Sequence, residues 1–158
     1  MADAAYYTIL TAARTAIRGL TLTLPDATTL PSARVYLRKV LTDRNTTLPC
    51  VIVFMPPAPE TVAPFGNNLD EIGYAVGVCI IAASNQDYEL AAGDEKFLKW
   101  RQQVRRLFHD QRLAGTGGYR CTWEPAPVLS MGDWLERNLW VQGGIVRARQ
   151  HENRDTST

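Results

Sequence analysis

The segment 72–83, Ile-Gly-Tyr-Ala-Val-Gly-Val-Cys-Ile-Ile-Ala-Ala, constrains the fold more than any other part of the chain. Its β-branched and aromatic residues predict a strand. Alternation then puts Ile72, Tyr74, Val76, Val78 and Ile80 on one face and Ala75, Cys79 and Ile81 on the other. Both faces are apolar. A sheet open to water on one side shows polar residues there, so this strand needs cover on both sides, from helices, a second sheet or a neighbouring subunit. Gly73 and Gly77 are expected where another backbone approaches closely.

The elements around it follow from periodicity. Tyr6, Ile9, Leu10, Ala13, Ile17 and Leu20 recur at steps of three and four, which predicts an amphipathic helix with Asp3 as N-cap and Gly19 near its end. Pro25 and Pro31 bracket a loop, and alternation over 32–41 predicts a partly buried strand. The run 50–54, Cys-Val-Ile-Val-Phe between Pro49 and Pro56, predicts a buried strand. Residues 55–71 hold four prolines and a Gly-Asn-Asn turn, which predicts a long irregular loop and makes it the first candidate contact surface. After a polar loop over 84–93, Asp94 is expected to cap a helix reaching Leu113, with Phe97, Trp100, Val104, Leu107 and Phe108 as its apolar stripe. Gly115, Gly117 and Gly118 are expected to end that helix, and strands over 119–124 and 139–148 to complete the domain.

This order predicts an α+β fold: a mainly antiparallel sheet packed with an N-terminal helix and one long central helix. A single domain is expected over 1–150, followed by a flexible polar tail over 151–158. A chain of 158 residues can bury a sufficient core without metals or disulfides.

Chemistry-bearing residues are sparse. Cys50, Cys79 and Cys121 form no CxxC pair and read as small core hydrophobes. The two histidines, His109 and His151, read as surface residues, and no HxxxH or HExxH spacing suggests a metal. Gly115-Thr116-Gly117-Gly118 precedes a predicted strand rather than a helix, which favours a turn over a phosphate cradle. Asp70 and Glu71 are adjacent on an extended segment, so they point to opposite sides and cannot converge on one substrate. The expectation is a protein that is not an enzyme, with no catalytic residues, no metal and no cofactor. A net charge of +1 provides no global attraction for nucleic acid or an anionic membrane. The N-terminus lacks a signal-peptide pattern, and the longest apolar run is about half the roughly 20 residues of a membrane span, so no membrane association is expected.

Locally the balance differs. Lys96, Lys99, Arg101, Arg105, Arg106 and Arg112, against Asp94, Glu95 and Asp110, make one helix face basic, and Trp100 offers a ring that could stack a base, so a nucleic-acid-binding module over 94–113 is one functional reading. Trp123, Trp134 and Trp140 suit a core, or anchors of a subunit contact.

Five features together resemble the tail terminator family of tailed bacteriophages and the related ring proteins of the phage neck. They are the helix from Tyr6 to Leu20, the strand Leu48-Pro49-Cys50-Val51-Ile52-Val53, and the strand entry Asp70-Glu71-Ile72-Gly73-Tyr74. The helix Leu98-Lys99-Trp100-Arg101-Gln102-Gln103-Val104-Arg105-Arg106 and a closing strand ending near Arg149 complete the set. The likeness covers about residues 4–150 and is one of pattern, without a diagnostic motif. It implies a structural virion protein of the tail or neck, assembled in the host cytoplasm. Such a subunit forms a homo-oligomeric, commonly hexameric, ring that ends tail-tube polymerisation and meets a head connector or stopper protein. DNA passes through the ring without sequence recognition. Head-tail stopper and tail-completion proteins share these traits and remain open as alternatives. On this resemblance, Pro56, Pro57, Pro59, Pro64, Phe65, Asn67, Asn68 and Tyr88 would reach a neighbouring subunit or the tail tube protein, and Arg101, Arg105 and Arg106 would meet acidic groups or face the DNA channel.

Overall fold

The two-faced strand lies at the centre of a seven-stranded mixed sheet in the computed structural model, which describes residues 4–83, 89–90, 93–125, 134 and 137–153. It is β4 in an order of α1 (Ala5–Arg18), β1 (Val35–Arg38), β2 (Cys50–Phe54), β3 (Glu60–Pro64), β4 (Leu69–Ala83), α2 (Glu95–Phe108), β5 (Gln111–Arg112), β6 (Arg120–Pro125) and β7 (Leu139–Asn153). On one side β4 pairs along its full length with β7, from Leu69 opposite Asn153 to Ala83 opposite Leu139. On the other side it pairs with β2 and then β3. β1 joins β2 in parallel, and the other pairings are antiparallel.

The predicted split of β4 into two apolar faces is the split between two cores. Ile72, Tyr74, Val76, Val78 and Ile80 pack with Ile9, Leu10, Ala13 and Ile17 of α1 and with Phe97, Trp100, Val104 and Phe108 of α2. Cys79 and Ile81 pack on the opposite side with Cys50, Ile52, Leu139 and Val141. That second core is covered by Tyr36, Leu41, Leu48, Phe54 and Trp134. Its cover comes from within the chain, so the apolar faces of β4 do not by themselves require a neighbouring subunit. Close approaches occur at Gly73 and Gly77, but from side chains rather than the expected backbone: a Cβ at Gly77 would lie within 2.7 Å of three ring carbons of Phe54.

Several expectations need correction. The segment 55–71 is not one irregular loop. Residues 55–59 leave the sheet, standing opposite Ala75 and Val76 as a wide bulge, after which β3 resumes pairing with β4, and the expected Gly-Asn-Asn turn joins the two strands over 65–68. Pro59 precedes the strand and Pro64 is its last residue, positions where a missing N–H interrupts no interior ladder bond. β4 accordingly begins at Leu69 rather than Ile72. The strand expected over 32–41 is only Val35–Arg38, preceded by a 3₁₀ turn over Ser32–Arg34.

α2 is not a long central helix. It ends at Phe108 instead of Leu113 and equals α1 at 14 residues, with both helices on the same face of the sheet. Asp110 takes a positive φ of 59°, its N–H bonds to the Cys121 carbonyl, and Gln111–Arg112 pair with β6. Gly115, Gly117 and Gly118, with φ of 80°, 76° and 110°, therefore turn the chain between two strands rather than end a helix. Asp94 holds the N-cap position of α2 with helical dihedrals and no side-chain capping bond. At α1 that position is Ala4, and Asp3 lies outside the described residues. β7 continues through His151, Glu152 and Asn153, three residues past the expected end of the domain.

The cores carry ionisable groups in their neutral forms. Burial pushes the Cys50 and Cys121 thiols up to about 11 and that of Cys79 to about 12. Tyr6, which donates to the Ala75 carbonyl at 2.6 Å, is raised to about 12 by burial and then by the charge of Glu60. Burial and the bond to Glu152 also raise Tyr119. An acid whose folded-state value is raised stabilises the fold below its unfolded value and loses that contribution as pH climbs through the folded one. Unfolding midpoints in urea are thus expected to hold level up to about pH 9 and to fall between about 9 and 12, the ordinary thiol and phenol values marking the onset. A midpoint that rises across that window would contradict this.

Candidate interaction surfaces

Beyond the helices, β3 and the adjoining ends of β4 and β7 extend as an arm. Its turn closes when the Phe65 N–H bonds to the Leu69 carbonyl at 2.9 Å, with Gly66 and Asn68 at φ of 69° and 61°. All five residues of β3 are exposed. Val62 is 59% exposed and Phe65 51%, the latter stacked on His151 with ring centroids 4.0 Å apart. His151 in turn lies 3.6 Å from a Glu71 carboxylate oxygen. The charged residues over 55–75 are all acidic: Glu60, Asp70 and Glu71. Residues directly opposite in the ladder share a side. The register thus puts Glu60 and Val62 with Tyr74 and Ile72, on the sheet face that carries the helices, and Asp70 and Glu152 on that same face. Among the described residues the outer edge of β3 has no strand partner.

A second surface lies along α2. Leu98, Arg101 and Arg105 fall at steps of three and four, one stripe of the helix beside its buried face. With Glu95, Lys99, Gln102 and Trp123 of β6 they line an open hollow of about 630 Å³. An adjoining hollow of about 500 Å³ is lined by Arg105, Arg106, His109 and Trp123. Arg105 and Trp123 are common to both, so the two form one groove between α2 and β6. Leu98 is 42% exposed in it. The Trp123 indole lies over Gly144, and the Trp123 backbone N–H donates to His109 Nδ1 at 3.2 Å. Glu95 is 3.8 Å from Lys99, but both side chains are largely exposed, and such a pair neutralises little of the local charge.

The predicted contact residues divide between these surfaces. Pro57, Pro64, Phe65, Asn67 and Asn68 are exposed on or beside the arm, Pro59 is half-buried, and Pro56 is buried at the start of the bulge and unavailable to a partner. Tyr88 lies outside the described residues. Arg101, Arg105 and Arg106 are exposed together on α2. Trp100 is only 1% exposed and its Nε1–H donates to the Thr23 carbonyl at 2.8 Å, so it cannot stack a base. Glu60, Val62 and Leu98 are additions, and Trp123, read from the sequence as core or subunit anchor, is half-buried and lines the groove. Leu98 was detectable as the one leucine outside the apolar stripe on the charged side of α2, whereas the position of Trp123 beside Arg105 depends on tertiary packing.

Among the described residues no group of three or more His, Cys, Asp and Glu side chains is placed to hold a metal ion. No described helix is long and apolar enough to cross a membrane. No protein-family model and no curated protein matches the chain.

Proposed function

We propose that the chain is a non-enzymatic structural subunit that assembles head-to-tail into an oligomeric ring at the head-proximal end of a phage tail. There it ends growth of the tail tube and joins the tail to the head connector. The observation that carries this reading is the arm: an open strand edge with two large apolar side chains in water is a template for pairing with another chain. A contact between two different patches, repeated by rotation, closes a ring. Pro59 before β3 and Pro64 at its end favour docking because a stiff segment loses little freedom on binding. Near-neutral charge adds no strong self-repulsion. The resemblance in element order supplies the phage context, the hexameric count and the passage of DNA through the ring. A head-tail stopper or tail-completion subunit would use the same surfaces and differ only in its neighbours.

Electron microscopy of the purified protein, alone and with phage tail tubes, tests this. Rings in the first sample and capped tube ends of uniform length in the second are expected. Dispersed single subunits together with bare tube ends would overturn it.

A further inference from the structure

We propose that the acidic arm of one copy docks into the basic groove between α2 and β6 of the next, an assignment that rests on the ring reading above and specifies its subunit contact. The two surfaces complement each other twice. The arm presents Glu60 and Val62 side by side on the face shared with Asp70 and Glu152, while Arg149 and His151 of β7 lie on its opposite face. The groove presents Leu98 and Trp123 among Lys99, Arg101, Arg105 and Arg106, with Glu95 as the acidic residue in its lining. An apolar centre flanked by opposite charges gives both area to bury and a fixed register.

The two surfaces lie towards opposite edges of the sheet. β3 pairs β4 on the side of β2, while β6 pairs β7 on the far side of the same central pair. Arm and groove are therefore two separate patches, as a head-to-tail contact needs. The groove is also too apolar at its floor to be only a solvated basic face, since Leu98 and Trp123 are partly exposed there. A duplex backbone would use the arginines and leave those two side chains without a role.

Sedimentation velocity at low salt on wild type, Glu60→Arg, Arg105→Glu and the double variant tests the pairing. Both side chains are exposed, so unfolding midpoints of the variants are expected to stay near wild type, and this is measured alongside. Each single reversal sets like charges against each other and is expected to weaken self-association on the order of 10–100-fold, with most of the loss recovered in the double variant. As an independent probe, Val62→Cys and Leu98→Cys proteins are mixed under mild oxidation, where a disulfide-linked heterodimer is expected. The native thiols are buried and raised, and so do not compete.

Wild-type rings with single variants that assemble normally, or a double variant that does not recover, would overturn the pairing and leave the ring reading intact. A wild type that never self-associates would overturn both. Duplex DNA binding that Arg105→Glu abolishes while assembly is unchanged would make the groove a nucleic-acid site instead.

Discussion

Replacing Trp100 with alanine is expected to cost about 3–5 kcal/mol, the usual range for deleting a buried tryptophan. Trp100 is the largest of the fully buried side chains, meets Phe97 edge-on at 5.1 Å and donates to the Thr23 carbonyl. That bond ties α2 to the segment after α1, so the substitution opens a cavity and leaves a carbonyl unpaired at the same time. Against a total stability of about 5–15 kcal/mol, a loss of this size leaves a marginal or unfolded protein at 25 °C. Urea unfolding followed by circular dichroism measures it. Trp100→Phe keeps most of the volume and is expected to lose about half as much or less. A Trp100→Ala protein within 1 kcal/mol of wild type would mean that α2 is not packed on the sheet as described.

Gly143→Ala is expected to be comparably severe. Gly143 sits opposite Cys79 in the central pair of strands, and a Cβ there would meet the Val78 carbonyl oxygen, with the Cys79 Sγ at 2.7 Å and Cα at 3.1 Å. Backbone atoms cannot swing aside, and β4 is held on its far side by β2, so relief requires separating β4 from β7. Overpacking of a core usually costs about 1–3 kcal/mol, and here the upper end or more is expected, because the clash falls on main chain rather than on a side-chain tip. Gly66→Ala is the control: it has open space around it but a positive φ, so it should lose only about 1 kcal/mol. Equal midpoints for Gly143→Ala and wild type would contradict the β4–β7 register.

The parts of the fold that the sequence made legible are those in which one period repeats over many residues. The alternation of Ile72 to Ile80 and the helical steps of Ile9 to Ile17 and Phe97 to Phe108 assign faces before any contact is known. Where a distant partner decides, local pattern misled. Prolines 56, 57, 59 and 64 read as breakers of the whole segment, yet the first three fall in a bulge and Pro64 ends a strand, because β4 offers a ladder that β3 can rejoin after 59. No glycine or proline stands between Phe108 and Leu113, so local pattern carries the helix on to Leu113. Leu113 ends up in a strand connection only because Asp110 and Leu113 bond to the carbonyls of Cys121 and Tyr119. The candidate site divides in the same way: the arginines of α2 and the acidic character of the arm are compositional, while Trp123 as the floor of the groove is a product of β6 lying against α2.

The central claim is that identical copies meet through two different patches and close into a ring. Light scattering on the purified protein over a range of concentrations tests it most directly. A closed ring gives a species several times heavier than the 17.6 kDa subunit whose mass stops rising once formed. A mass of 17.6 kDa at every concentration, or one that climbs without limit, would contradict the account.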